Sequence, residues 1–422
     1  MQAMNSSQAV TVWFIAGGTI AGVILRPKEW PEAVWACLGA GLLVACGLVP
    51  AGAALVAAGK GTDVYLFLTG MMLLAELARR EGVFDWFAAL AVRASKGSRA
   101  RLFGLMYAIG ILVTVFLSND ATAVVLTPAV YAAVKKARAD ALTHLFICAF
   151  IANAASFVLP ISNPANLVVY GKALPPLIPW LRTFLAPSLC SIGATYLVLR
   201  WISRKEIQGP ITAEVDVPAL TREGKRAAWG IAGSGIVLMV ASGLGFDLGL
   251  PTCAAALLTL LVSTGLREKA IREVGGSVSW SVLPLVAGLF ILVEALNRAG
   301  ALTGSSHMLE ALATLPRVIG SLGTSFGIAA LSNVMNNLPC GLLMGTAMES
   351  LHSSRWIRDS VLIGIDLGPN LSVTGSLATI LWLVSLRREG IEISAWRFLK
   401  LGALVMPPAL LLATLTVSFF GR

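Results

Sequence analysis

Charge is scarce in this chain. Asp, Glu, Lys and Arg make up 13% of 422 residues, about half the share of an ordinary soluble protein. Hydrophobic residues make up 57%, more than a globular domain has interior to hide. A soluble enzyme, a disordered chain and a collagen-like fibre are excluded together. Histidine is almost missing: His144, His307 and His352 are the whole set. There is no HExxH, which removes zinc-protease chemistry. The three His stand away from the Ser- and Asn-rich segments, so an intramembrane Ser–His pair is not expected either; they fall at span or hairpin ends, where interfacial placement accounts for them. The six cysteines, at 37, 46, 148, 190, 253 and 340, lie singly in apolar stretches with no CxxC. That argues against a disulfide framework or a metal site and leaves the thiols as small hydrophobes. No cofactor is implied. Met1 to Val10 carries no basic residue, so a cleaved signal peptide is not expected.

What is present is a polytopic membrane protein. A helix needs about 20 apolar residues to cross a bilayer, and ten segments qualify, near 10–25, 33–50, 62–78, 142–170, 177–200, 227–246, 251–266, 281–297, 358–386 and 397–420. Two longer apolar stretches, 101–135 and 317–350, are each broken near the middle by a polar cluster. Basic residues flank both ends of the first, and arms of about 16 residues do not comfortably span a core of about 30 Å. Re-entrant hairpins are therefore expected. The net charge of +10 is spread between spans, which speaks for topology and against a nucleic-acid partner. Threading the chain with the N-terminus outside puts 24 of the 32 Lys and Arg in the cytoplasm, and both termini outside. Trp13, Trp30, Trp35, Trp180, Trp201, Trp280 and Trp396 then fall near span ends as interfacial anchors.

The halves repeat. Gly70 to Glu76 matches Gly288 to Glu294 at an offset of 218, as do Arg80 with Arg298; Leu117-Ser118-Asn119 matches Leu331-Ser332-Asn333 at an offset of 214. Each half then has an interrupted span, at 161–166 and 366–370. The fold expected is all-α: ten transmembrane helices in two inverted-topology repeats, each with one re-entrant helical hairpin and one broken helix. The first repeat covers 1–202, a cytoplasmic linker 203–226, the second repeat 227–422. Inverted repeats with broken helices are the build of secondary transporters, because unpaired backbone at membrane depth is tolerated only in protein or beside a cavity.

Four segments, FLSNDATAVVLTPAV (116–130), ANAASFVLPISNPANLVV (152–169), LSNVMNNLP (331–339) and IDLGPNLSVTGSLATILW (365–382), resemble the arsenical-resistance efflux permeases, within the ion-transporter superfamily of divalent-anion and citrate carriers. The resemblance implies an inner-membrane exporter of arsenite and antimonite coupled to proton entry, with a scaffold and a moving transport domain and, in some hosts, a cytosolic arsenical-pump ATPase as partner. Dicarboxylate carriers of the superfamily have Ser-Asn-Thr at each hairpin tip, which helps to hold sodium. Here the tips read Ser118-Asn119-Asp120 and Ser332-Asn333-Val334. The missing Thr argues against sodium coupling and leaves an acid at the first tip. A sodium- or proton-coupled carboxylate carrier is the alternative of the same fold, and a dianion would want cationic or dense N–H donors, whereas no Lys or Arg is near either tip in sequence.

Two intramembrane acids carry the mechanistic expectation. A carboxylate inside a membrane is expensive and functional by default, and Asp120 and Asp366 are expected to carry the coupling proton; the plainer reading is that each caps a broken helix. Ser118, Asn119, Thr122, Ser332, Asn333, Asn336 and Asn337 at the tips, with Ser162, Asn163, Asn166, Asn370, Ser372 and Thr374 at the broken spans, offer the donors and acceptors that a neutral trihydroxide needs; singly, each could instead satisfy its own backbone. Glu76 and Glu294 each precede an Arg by four residues, the spacing of an ion pair on one helix face, and read as structural. Cys340, beside the second tip, reads as packing.

Overall fold

Helices begin where short polar residues can hold free backbone N–H groups. Ser98, Asp140, Thr221 and Ser376 each accept from the N–H three residues on, at 3.3, 2.7, 2.9 and 3.1 Å, the usual N-cap arrangement. The computed structural model describes residues 5–211, 216–349 and 355–420. Residues 212–215 of the expected linker, residue 350 at the end of the second hairpin, and His352 lie outside them. Among the described residues the structure is helical, with one isolated bridge, Ser98 to Pro210, and no strand.

By length and composition six helices can cross a membrane: Ser6–Leu25, Arg99–Leu117, Leu177–Ile202, Arg222–Gly243, Arg317–Met335 and Ala395–Phe419. Two bent pairs raise the number to eight: Ala51–Gly59 with Thr62–Arg80 at 50°, and Glu268–Ser277 with Val282–Arg298 at 41°. Glu32–Ala45, Ala141–Ala154 and Gly249–Thr264 are apolar but shorter. The hairpin arms differ from expectation. Both first arms run 19 residues, Arg99–Leu117 and Arg317–Met335, about 28 Å at the rise of an α-helix. The polar residues that suggested shorter arms sit past the end of the first helix but inside the last turns of the second.

The breaks are sharp. Ser118 has φ 120° and Asn336 φ 72°, conformations uncommon outside glycine. The second break thus falls at Asn336, not at Ser332-Asn333, which ride the end of the preceding helix. It lies 218 residues after Ser118, the offset that relates Gly70 to Gly288. Identity of the Ser-Asn dipeptide suggested the other register; chain geometry follows the constant spacing. Thr122–Leu126, just past the first tip, forms a π-helical turn, a distortion frequent at functional sites.

The two halves interlock. Thr62–Arg80 packs on Gly249–Thr264, Val282–Arg298 on Glu32–Ala45, and Leu177–Ile202 on Ala395–Phe420. Gly70 and Gly288 explain the first two contacts. A Cβ on Gly70 would stand 2.7 Å from the Thr252 carbonyl carbon, and one on Gly288 2.8 Å from that of Ala36. Backbone cannot give way as a side chain can. Gly70→Val and Gly288→Val are each expected to cost about 1–3 kcal/mol by overpacking, read as a lower thermal midpoint of the purified protein.

Candidate functional site

A cavity of about 590 Å³ opens between the Thr62–Arg80 helix, the first hairpin tip, the 277–282 segment and the end of Leu377–Arg388. Ser118 and Asp120 line it from the tip, Pro164 from the first broken helix, and Glu76, Arg79, Arg388 and Glu389 supply its other charges. Asp120 is half-buried. The remaining tip groups turn inward. Asn119 Oδ1 accepts the Asp120 N–H at 2.9 Å, and Thr122 Oγ1 meets Thr114 Oγ1 at 2.8 Å. Ser118 Oγ accepts the Ala121 N–H at 3.4 Å.

A second assembly is fully buried where the two broken helices cross. Asn163 caps Pro164–Tyr170 by accepting the Ala165 N–H at 3.0 Å, and its Nδ2 donates to Asp366 Oδ1 at 2.7 Å. Asn166 Nδ2 faces the Ser156, Leu159 and Pro160 carbonyls at 2.9–3.3 Å, holding the interrupted backbone. Asn370 Nδ2 donates to Phe150 O at 3.1 Å, and its Oδ1 accepts from Asn153 Nδ2 at 3.0 Å. Ser162 Oγ donates to Val115 O at 3.0 Å, tying this crossing to the first hairpin. Asp366 is thus held in the crossing and does not reach the cavity.

The second tip forms a third group. Asn333 Nδ2 donates to Ala329 O and Gly368 O at 2.7 and 2.8 Å; its Oδ1 accepts from Ser372 Oγ at 2.6 Å, and its carbonyl from Thr374 Oγ1 at 2.8 Å. Asn336 Nδ2 donates to Thr374 O at 3.3 Å, the Asn337 N–H to Gly375 O at 2.8 Å, and Ser332 Oγ to Ala329 O at 2.9 Å. The fifteen expected site residues therefore divide: two on the cavity, others in two separate networks or on their own backbones.

Sequence reasoning missed Asn153 and Ser156, both fully buried in the central crossing. They stood inside a quoted motif, and attention went to the proline-bearing half of it. It also missed Asp359, whose Oδ1 accepts from Tyr170 Oη at 2.6 Å, both buried. Seven residues separate Asn163 from Tyr170 and Asp366 from Asp359, so the same two helices are pinned twice, two turns apart. The expected Glu76–Arg80 pair is replaced: Glu76 pairs with Arg79 at 2.9 Å, while Arg80 reaches across to Glu273 at 2.8 Å. Glu294 and Arg298 pair as expected, at 2.9 Å. Cys340 is fully buried and off the cavity lining.

A cavity entering an apolar helical bundle and ending on a hairpin tip defines a membrane transporter, and its family and relatives are transporters, not enzymes. The chain belongs to the citrate transporter family (CitMHS), whose profile matches residues 12–365. It is similar to the arsenical pump membrane protein of Escherichia coli strain K12, 28% identical over 415 residues, covering 93% of this chain and 94% of that one. The arsenical pump membrane protein of Yersinia enterocolitica is 28% identical over 357 residues, 81% and 82% of the two chains. An uncharacterized transporter of Mycobacterium tuberculosis strain H37Rv is 26% identical over 375 residues, 84% and 85%. Among solved structures the YdaH transporter of Alcanivorax borkumensis superposes with a TM-score of 0.57 over 92% of this chain and 97% of its own, at 16% identity, a likeness of fold alone. The resemblance to arsenical-resistance permeases thus extends over nearly the whole chain.

Proposed function

We propose that this protein exports trivalent arsenite and antimonite from the cytoplasm in exchange for protons, by alternating access, through ten spans in two inverted repeats with both termini outside the inner membrane. One observation carries the alternation. A pocket of about 40 Å³ is lined by Phe290, Val293, Glu294, Asn297, Leu342 and Thr346. Each stands 218 residues after a residue of the wide cavity: Met72, Ala75, Glu76, Arg79, Val124 and Pro128. Matched walls enclosing such unequal volumes are what a carrier has with one access open and the other shut. In this reading the open mouth faces the cytoplasm, and Arg79 and Arg388 at the cavity support that side by the positive-inside rule.

Arsenite is a neutral trihydroxide at physiological pH, so the membrane potential does no work on it alone. An entering proton contributes about 2.3 kcal/mol per 100 mV. Asp120 faces the open cavity and Asp366 the crossing behind it, and these two carry that proton. Ser118 touches substrate on the open side; Asn336, its match, takes that part when access reverses, with Asn119, Thr122, Ser332, Asn333, Asn337, Ser372 and Thr374 shaping the tips and Ser162, Asn163, Asn166 and Asn370 the crossing.

Carboxylate transport is the second reading. The family's description supports it, and Arg79 and Arg388 put two cations on the cavity that the linear sequence had kept apart from the tips. Everted vesicles decide between them. Arsenite uptake driven by a pH gradient and abolished by a protonophore is expected, with excess citrate without effect; citrate uptake without arsenite uptake would replace this reading with the carboxylate one.

A further inference from the structure

The central crossing holds acceptors that no donor reaches. Three buried oxygens in it receive no hydrogen bond among the described residues: Asp366 Oδ2, Asn153 Oδ1 and Asn166 Oδ1. Their side chains are fully buried, where an unsatisfied polar atom calls for an explanation. Turning the amides over does not help. Asn166 Nδ2 faces three carbonyl oxygens, and Asn153 Nδ2 faces Asn370 Oδ1, whose own amide nitrogen is fixed by Phe150 O. Ser156 is the common neighbour. Its Oγ lies beside the Asp366 carboxylate but gives its hydrogen to Asn153 O at 2.7 Å, and its carbonyl accepts from Asn166 Nδ2 at 2.9 Å. Every donor atom named in the cluster already points at another acceptor, and none of them reaches these three oxygens.

We propose that this crossing binds a small monovalent cation, ligated by Asp366 Oδ2, Asn153 Oδ1, Asn166 Oδ1 and the Ser156 Oγ lone pair. Oxygen-only ligands suit a hard cation. One carboxylate balances one positive charge; a divalent ion would leave net charge at membrane depth, which is costly. A proton on Asp366 Oδ2 serves a single acceptor, and a water molecule leaves the carboxylate charge uncompensated. The site is distinct from both hairpin tips, where Ser118 and Asn336 take no part in the network. It shares Asp366 with the proton reading and otherwise stands without it, so proton and cation compete for one carboxylate.

Sodium-22 binding to the purified full-length protein, with choline replacing sodium as balance, tests this. Saturable binding is expected, one ion per chain, displaced as pH is lowered. Asp366→Asn, which keeps the shape, abolishes it. Asn153→Ala weakens it about tenfold or more, since losing even a supporting partner costs that much at metal sites. Sodium also raises the thermal midpoint of the wild type and leaves that of folded Asp366→Asn unmoved. Absence of saturable binding in the wild type, or binding undiminished in Asp366→Asn, overturns the site. Arsenite transport driven by a pH gradient in sodium-free medium reports on the proton reading separately. If it persists while sodium does not bind, the cation site falls and proton coupling remains. If sodium binds while transport ignores the pH gradient, the reverse holds.

Discussion

Asp120→Asn is expected to leave a folded protein that equilibrates arsenite and no longer accumulates it. Uptake into everted vesicles, with a pH gradient and potential imposed, is the measurement. One proton moving through 100 mV supports about 2.3 kcal/mol of gradient, an accumulation ratio of about fortyfold at 1.4 kcal/mol per decade. The variant should fall to a ratio near one. Asn matches Asp in shape, and the Asp120 side chain lines open space rather than a packed interior, so folding has little stake in the carboxylate. Wild-type accumulation in this variant would move the proton to Asp366 alone. Asp120 is the more telling of the two acids, because Asp366 also anchors Asn163.

Asp359→Ala acts on stability. Asp359 is 1% exposed and accepts from Tyr170 Oη at 2.6 Å. Arg358 lies 5.8 Å over the Tyr170 ring and donates to Met348 O at 3.3 Å, joining the second hairpin to the same knot. Removing the carboxylate strands the buried Tyr170 hydroxyl. Losing a buried hydrogen bond to a charged group costs about 1.5–3 kcal/mol. Thermal unfolding of the purified protein should show a large drop for Asp359→Ala and a smaller one for Tyr170→Phe. The double variant should lose less than the sum, since the orphaned hydroxyl is gone. Additive losses would mean the two groups act independently.

The knot shows where linear reading ran out. Asp359 follows Arg358 and precedes Ser360, and in a string it looks like any acid at a span end. Its partner is 189 residues away. Asn153 and Ser156 were hidden in the same way: small polar residues among alanines, given meaning by Asp366 and Asn370 more than two hundred residues on. The Glu76–Arg80 expectation failed on one helix face, because Glu273 on another helix was within reach of Arg80.

Composition and spacing alone were enough for the environment, the all-helical class and the first hairpin's break at Ser118, and the resemblance of four motifs was enough for the family. Those are local or one-dimensional properties: a low-charge chain needs lipid, and a Ser-Asn-Asp cluster in an apolar run needs a break. The 218-residue offset was legible as well, and it even located the second break better than the matching dipeptide did. Which polar groups face open space was not legible. Ser118 and Asp120 meet the cavity while Asn119 between them does not, and the Asn333 cluster closes on itself. That sorting depends on which helices of the opposite half pack against each tip, and on the unequal volumes of the two cavities. Both are set by contacts between residues far apart in the chain, where hydrogen-bond saturation and close backbone approach, rather than residue type, choose the outcome.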